Sequence, residues 1–114
     1  MKIFLDANVL VSVLNKEYPL FPNSSRVLSL ADKPGFELYT SPICLAIAFY
    51  FSEKKSGTAL AKKKLEVLSS KLKSTLVDQE TVRLTALDER VNDFEDGLEY
   101  YSALNSACEV IITE

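Results

Sequence analysis

The chain opens with the stretch Ile3-Phe4-Leu5-Asp6-Ala7-Asn8-Val9-Leu10-Val11, in which an apolar run meets one carboxylate and then continues apolar. A short apolar run is typical of a buried β-strand, and open α/β sheets bind their ligands at the carboxyl ends of their strands. Asp6 is therefore expected at a ligand-binding edge. Two roles stay open. A partly buried carboxylate needs a cation or several donors, which favours metal binding, but Asp also commonly caps the following helix.

The length and composition indicate a single domain, residues 1–114, that needs neither disulfides nor zinc. A chain of 114 residues buries about two thirds of its unfolded surface. Its two cysteines, Cys44 and Cys108, form no CxxC motif, and it has no histidine, which excludes zinc fingers and Ser-His or Cys-His nucleophile pairs. Sparse cysteines, without a signal peptide or an apolar stretch of membrane length, predict a cytoplasmic protein that does not enter a membrane. Any catalysis must rely on carboxylates.

The charges are segregated along the chain, although the net charge is only -3. Residues 54–73 contain seven lysines and one acid, and residues 78–99 contain eight acids and two arginines. If the fold brings the two segments together, a basic rim lies beside an acidic pocket. The lysines are otherwise a solvated helix face, and both interpretations stay open.

Predicted strands and helices alternate along the chain. Short apolar runs predict strands at residues 3–5, 36–40, 74–77 and 109–113, and amphipathic patterns predict helices at 7–14, 23–31, 42–52, 58–73 and 80–91, with another after Asp93. This order is typical of an α/β fold, a three-layer α/β/α arrangement around a central parallel sheet. The helix of residues 42–52 is apolar on nearly every side, so it is either buried in the core or covered by a second copy or a partner.

A second acidic segment precedes the last strand and reads Asp93-Phe94-Glu95-Asp96-Gly97-Leu98-Glu99-Tyr100-Tyr101-Ser102-Ala103-Leu104. Asp93 is placed to cap a helix, and the helix dipole stabilises acids in the first turn. Asp96 also heads a largely apolar row made of Tyr100, Ala103 and Ala107, which predicts that it faces inward. The last strand ends at Thr113. We therefore expect Asp6, Asp96 and Thr113 at one edge of the sheet.

These segments resemble those of the PIN domain family, and within it the single-domain toxins of the VapC-like kind. The opening stretch is similar to the family's first strand with its first metal-binding Asp, and Thr40-Ser41-Pro42-Ile43 is similar to its second strand and the helix start that follows. Residues 93–104 are similar to the third motif, with Asp96 in the acid position. Val110-Ile111-Ile112-Thr113 is similar to the strand that ends in a Thr. The resemblance covers the whole chain.

The resemblance implies a Mg²⁺- or Mn²⁺-dependent endoribonuclease, the toxin component of a toxin-antitoxin pair, in which clustered carboxylates hold the ion. It assigns metal binding to Asp6 and Asp96, with Asp93 and Glu114 as substitute ligands and Thr113 as an orienting hydroxyl. RNA is the implied substrate, and an antitoxin protein is an implied partner. The apolar helix of residues 43–51 further predicts a homodimer.

Two departures from the family pattern predict weak or absent activity. The family's Glu in the helix after the second strand falls at Ile47, and its last acidic position lies beyond Thr113, where this sequence ends at Glu114. We expect that the sequence is C-terminally truncated and lacks the last strand, because residues 110–113 would otherwise lie near an exposed sheet edge.

Two other classes of function stay open. The first is a degenerate, non-catalytic module that binds RNA or a protein partner. The second is a phosphoacceptor receiver domain, which is disfavoured because receivers have an acidic pair after the first strand. The end of the third strand, Val77-Asp78-Gln79-Glu80, also lacks the expected turn and proline.

Overall fold

The computed structural model describes residues 1–16 and 21–113. In chain order the elements are β1 Lys2–Leu5, α1 Ala7–Leu14, α2 Phe21–Leu28, β2 Glu37–Thr40, α3 Pro42–Ser56, α4 Thr58–Ser69, β3 Lys73–Ser74, α5 Gln79–Leu87, α6 Phe94–Asn105 and β4 Val110–Ile112. A 3-10 turn, Ser29–Asp32, follows α2.

The strands form one parallel sheet in the order β3-β2-β1-β4. Helices pack on the sheet, which confirms the expected α/β/α arrangement around a central parallel sheet. Because β1 lies between β2 and β4, its side chains Phe4 and Leu5 are fully buried. Parallel strands bring their carboxyl ends to one edge, so the residues that follow β1, β2 and β4 are neighbours there.

The hydrophobic core is built around β1 and α1. Val9 and Leu10 of α1 are almost completely buried, because α1 packs against both α2 and α3. A helix enclosed in this way must be apolar on nearly every side. This explains why the apolar run of the opening stretch continues past Asp6.

The helix α3 has one buried face and one exposed face. Cys44, Ala48 and Ser52 are buried, whereas Tyr50 and Phe51 are exposed. The helix begins as predicted, with Ser41 Oγ accepting from Cys44 N–H at 3.0 Å and Pro42 in the first turn. It continues to Ser56, beyond the predicted end at residue 52, and Gly57, with φ 83°, ends it.

Several predicted boundaries are wrong by a few residues. The helix α2 begins at Phe21, so Asn23 and Ser24 lie inside it rather than capping it, and Ser24 Oγ instead accepts from Ser12 Oγ at 2.6 Å. Pro19 and Pro22 predict a break between the first two helices over residues 15–23, and this stretch lies partly in residues 17–20, outside the described part of the chain. The helices α4 and α5 are shorter than predicted, and β3 is Lys73–Ser74 rather than residues 74–77, because pairing with Tyr39 and Thr40 sets its position.

The strand β4 is less buried than the apolar pattern predicts. It lies at the end of the strand order, and Val110 and Ile111 are exposed. An edge strand has one neighbour instead of two, which leaves part of its surface uncovered. None of the described helices is both long enough and apolar enough to cross a membrane.

Two lysines of residues 54–73 contact the C-terminal end of α1 rather than the predicted acidic site. Lys55 Nζ donates to Asn15 O, and Lys64 Nζ donates to Leu14 O at 3.3 Å. These contacts place positive charge at the C-terminal end of α1, where the helix dipole favours it. Lys63, Lys64 and Lys71 also line an apolar cavity of about 440 Å³ beside α1 and α4.

Candidate functional site

Asp6 lies where the chain leaves β1 and enters α1. Its backbone N–H donates to Ile112 O of β4 at 3.0 Å, and its extended backbone (φ -73°, ψ 162°) makes it the N-cap of α1. The carboxylate Oδ1 accepts from Ala7 N–H at 2.6 Å. The capping interpretation is therefore confirmed. It does not exclude metal binding, because the same carboxylate also lines a cavity.

An acidic cavity of about 390 Å³ opens at the carboxyl edge of the sheet. It is lined by Asp6, Asp96, Glu99, Tyr100, Ile111 and Thr113. The structure thus brings Asp6, Asp96 and Thr113 to one cavity, although they are far apart in sequence. Among the described residues, this lining contains four ionisable or hydroxyl-bearing side chains besides Tyr100, and none of them is basic.

Asp93 is the N-cap of α6 and lies outside the lining of the acidic cavity. Its Oδ1 accepts from Asp96 N–H at 3.1 Å. It lines a neighbouring cavity of about 350 Å³ that also contains Asp96. Burial, followed by the charges of Asp93 and Asp6, raises the pKa of Asp96. Asp93 therefore acts on the site through its charge and through the start of α6.

Glu99 is the candidate residue that the sequence interpretation missed. It is only 7% exposed. One carboxylate oxygen each of Glu99 and Asp6 and the sulfur of Cys44 all lie within 4.8 Å of one another. Asp96 and Glu99 are three residues apart, a spacing that puts two side chains on one helix face, and this spacing was the signal that could have identified Glu99.

Two carboxyl groups this close are not both ionised unless a cation lies between them. Without a cation, one of them keeps its proton. Burial, a hydrogen bond with Asp6 and the charges of Asp6 and Asp96 raise the pKa of Glu99 to about 8. Cys44 opposes this change by donating Sγ–H to Glu99 Oε1 at 3.2 Å. Burial raises the pKa of the Cys44 thiol to about 12, so the thiol stays protonated and acts as a donor.

The carboxylate of Glu99 reaches the side of α3 that faces the cavity. Ile47, at the position where the resemblance led us to expect a Glu, is partly buried and packs against the core. Cys44, one turn earlier on α3, contacts Glu99 instead. An acid from α6 thus lies against α3, where the sequence pattern indicated that a carboxylate was missing.

A row of buried hydrogen bonds crosses the carboxyl edge of the sheet. Thr40 Oγ1 donates to Leu5 O at 2.9 Å, Thr75 N–H donates to Thr40 O at 2.8 Å, and Ser102 Oγ donates to Thr75 Oγ1. All three side chains are buried. The row begins one residue before Asp6 and ends one turn after Glu99, so it fixes the position of one acid relative to the other.

Gly97 lets α6 lie close to α5. A Cβ atom at this position would lie 2.6 Å from both Thr85 Cγ2 and Val91 Cγ1, which is shorter than any ordinary contact. Gly97 follows Asp96 directly and precedes Glu99 by two residues. The missing side chain therefore helps to set where both acids point.

Two of the sequence-predicted features at this site are not found. Ala107, with φ 60°, lies beyond the end of α6 at Asn105, so it does not share a helix face with Asp96. Tyr100 and Asp96 are exposed rather than directed into the core, so the prediction that Asp96 heads an inward-facing row is wrong. Glu114 lies outside the described residues.

The sequence matches the PIN domain family over residues 2–114, whereas a comparison with curated proteins finds no match. The fold is similar to that of VapC20 from Mycobacterium tuberculosis, described as a toxin that cleaves the sarcin-ricin loop (TM-score 0.74, 17% identity, 96% of this chain and 86% of that chain). It is also similar to VapBC2 from Rickettsia felis, solved with a DNA fragment from the promoter (TM-score 0.69, 19% identity, 100% of this chain and 88% of that chain).

At these identities the two solved structures show a shared fold. The family match rests on the sequence itself and spans nearly the whole chain. The two kinds of comparison agree with the observed α/β fold and its parallel sheet. The chain belongs to the PIN domain family.

Proposed function

We propose that this protein is a divalent-metal-dependent endoribonuclease, the toxin component of a toxin-antitoxin pair, and that Asp6, Asp96 and Glu99 hold its ion. The pairing of Asp6 with Glu99 carries the proposal, because two carboxylates from different elements lie within 4.8 Å of each other beside an open cavity. Membership of the PIN domain family and a fold shared with a toxin described as cleaving the sarcin-ricin loop support RNA as the substrate.

The donor set fits a hard divalent cation. Mg²⁺ and Mn²⁺ prefer oxygen ligands, and Mg²⁺ commonly binds through one or two carboxylates while keeping several waters. Asp6, Asp96 and Glu99 offer carboxylate oxygens to the same cavity. When bound, the ion would supply the positive charge that activates a water molecule and stabilises the departing oxygen of a phosphodiester.

The chain's own residues prepare this site. Ala7 N–H orients Asp6, and Cys44 orients Glu99. Cys44 is a positioning residue rather than a ligand, because its thiol is protonated and bonded to Glu99. The raised pKa of Glu99, about 8, keeps this carboxyl protonated at neutral pH, so metal binding should release its proton. Thr113, whose side chain lines the mouth of the acidic cavity, is the proposed orienting hydroxyl.

The level of activity stays a prediction. We expect weak or absent cleavage in Mg²⁺, because Ile47 occupies the position where the resemblance led us to expect an acid. Glu99 supplies one carboxylate in compensation. We expect faster cleavage in Mn²⁺, since Mn²⁺ binds a site with few carboxylate ligands more tightly than Mg²⁺ does.

The test is RNA cleavage in Mn²⁺ and in Mg²⁺ by the wild-type protein and by Asp6→Asn, Asp96→Asn and Glu99→Gln. We expect each substitution to abolish cleavage while circular dichroism shows an intact fold. Glu95→Gln is the matched control, because Glu95 lies in the same helical turn as Asp96 and is exposed as Asp96 is, but it lies outside the cavity lining. Metal binding by calorimetry without any cleavage would instead favour the non-catalytic module.

We further propose a cytoplasmic protein that forms a homodimer and binds an antitoxin. The free thiols of Cys44 and Cys108 suit a reducing compartment. The solved structure of VapBC2, whose fold is similar, supports an antitoxin partner. The exposed aromatic rings of Tyr50 and Phe51 on α3 support self-association.

A further inference from the structure

Two cavities meet at Asp96 and Tyr100. The first is the acidic cavity of Asp6 and Glu99. The second is lined by Arg90, Asn92, Asp93 and Gly97 together with the same Asp96 and Tyr100. Because they share two lining residues, the two cavities adjoin each other, and their linings together extend from Arg90 to Thr113. We call this pair of adjoining cavities the substrate groove, and Tyr100 belongs to both of its parts.

The ring of Tyr100 is exposed on one side and supported on the other. Tyr100 is 48% exposed, and its ring lies edge-on to that of Tyr101, with centroids 5.1 Å apart and an interplanar angle of 84°. Tyr101 is itself fixed, because its O–H donates to Asp88 Oδ2 at 2.6 Å. A supported ring in an open groove is preorganised to stack a nucleobase.

Arg90 gives the far end of the substrate groove a positive charge. Its Nε and Nη2 donate to the two oxygens of Asp88, each at 3.0 Å. The side chain is nevertheless 84% exposed, so it is oriented without being covered. One carboxylate, that of Asp88, therefore anchors both the arginine and, through Tyr101, the aromatic ring. An exposed and oriented guanidinium is suited to binding a phosphate.

The order of these groups along the groove identifies the chemistry of the ligand. Acids that suit a cation lie at one end, an aromatic face lies in the middle, and a guanidinium lies at the other end. A nucleoside within an RNA strand has a phosphate on each side of it, so the strand presents the matching order of a phosphate, a base and the next phosphate. The acids alone would repel RNA, so this match requires the cation at Asp6 and Glu99.

We propose that Tyr100 stacks an unpaired base of single-stranded RNA beside the cleaved phosphodiester, and that Arg90 binds the phosphate on the far side of that base. This inference rests on the proposed function, because it takes the cleaved phosphate to lie at the acidic end of the groove. Stacking on a side chain requires a base that is free of its helix, so the substrate class is a single strand or a loop.

Tryptophan fluorescence tests the stacking directly. The chain contains no tryptophan, so Tyr100→Trp carries a single fluorophore in the groove. Leu60→Trp is the matched control: Leu60 is 48% exposed, as Tyr100 is, but it lies on α4 outside the groove lining. Each variant is mixed rapidly, in Mn²⁺, with increasing concentrations of a short single-stranded RNA, and the fluorescence is read before cleavage proceeds.

We expect saturable quenching in Tyr100→Trp and none in Leu60→Trp, and no quenching of either by a duplex of the same sequence. Binding of the single strand should weaken about tenfold in Tyr100→Ala and stay unchanged in Tyr100→Phe. Arg90→Gln should lower both the affinity and its salt dependence. Equal quenching in the two tryptophan variants, or none in either, would overturn the inference.

The two proposals fail in different ways. Cleavage of RNA without quenching in Tyr100→Trp overturns the stacking role and leaves the nuclease in place. Quenching in Tyr100→Trp without cleavage overturns the nuclease and supports the groove as a site for single-stranded RNA.

Discussion

The thiol of Cys44 on α3 donates a hydrogen bond to Oε1 of Glu99 on α6 at 3.2 Å, and this contact bridges two helices beside Asp6. The buried acid Glu99 thus has a neutral hydrogen-bond donor as its partner. A cationic partner, such as a lysine, would compete with a metal ion for the carboxylate. The acid therefore keeps its capacity to bind a cation. The predictions that follow concern this arrangement and the elements that support it.

Glu99→Gln should remove most of the Mn²⁺ affinity without destabilising the metal-free protein at pH 8. The amide keeps the shape of the side chain but loses its charge, which relieves repulsion from Asp6 and Asp96. Calorimetric titration with Mn²⁺ and thermal unfolding measure the two effects. Glu95→Gln serves as the control, and equal Mn²⁺ affinity in the two variants would contradict the assignment of Glu99.

The stability of the metal-free protein should fall as the pH rises from about 4.5 to about 8. Glu99 has a pKa of about 8 in the folded protein, against an ordinary value of 4.5, so the folded state binds more protons than the unfolded state across this interval. Asp6, Cys44 and Asp96 are the titratable groups that face it. Urea unfolding at several pH values checks this, and Glu99→Gln should show a flatter dependence. Parallel curves for the two proteins would refute it.

Cys44→Ala should weaken Mn²⁺ binding about tenfold, as removal of a hydrogen-bond partner behind a metal ligand commonly does. Cys44→Ser keeps a donor at this position and should lose less. Calorimetry measures the affinities. Cys108→Ala is the matched control, since Cys108 is the other free thiol and lies outside the acidic cavity. An unchanged affinity in Cys44→Ala would remove its positioning role.

Gly97→Ala should destabilise the protein by about 1–3 kcal/mol, even though alanine favours a helix over glycine by about 1 kcal/mol. The added Cβ would lie 2.6 Å from Thr85 Cγ2 and Val91 Cγ1, which forces α6 away from α5. Urea unfolding gives the stability, and Val91→Ala in the same protein should restore part of it. A more stable Gly97→Ala would mean that the helices adjust without cost.

Replacing both Tyr50 and Phe51 with Ser should convert the proposed dimer into a monomer, because the change removes the exposed aromatic surface of α3. Light scattering gives the molar mass in solution. If the wild-type protein is already a monomer, the dimer proposal is wrong.

Local signals explain what the sequence predicted well. The apolar run before Asp6, the Ser41-Pro42 pair and Asp93 each act within a few residues, through strand burial and helix capping. In the structure β1 ends, and α3 and α6 begin, where these signals indicate. The short strand β3 was misplaced because pairing with β2, not its own residues, sets its position.

The burial of Glu99 could not be predicted from the residues next to it in the sequence. An acid in the first half of a helix is ordinarily a solvated, dipole-stabilised group. Its burial depends on Cys44, which lies 55 residues away in sequence. Tyr100 was misjudged for the same kind of reason, because its exposure depends on how α6 sits against the loop around Asp88 and Arg90.

Thr75 belongs to neither β3 nor α5, yet its amide is bonded to Thr40 and its hydroxyl accepts from Ser102. A loop amide held between a strand and a helix exchanges with deuterium only when the two separate. Its exchange should therefore be as slow as that of core amides in β1. Opening of the carboxyl edge would then require cooperative opening of the whole sheet. The acids of the site would keep their relative positions until the protein unfolds globally.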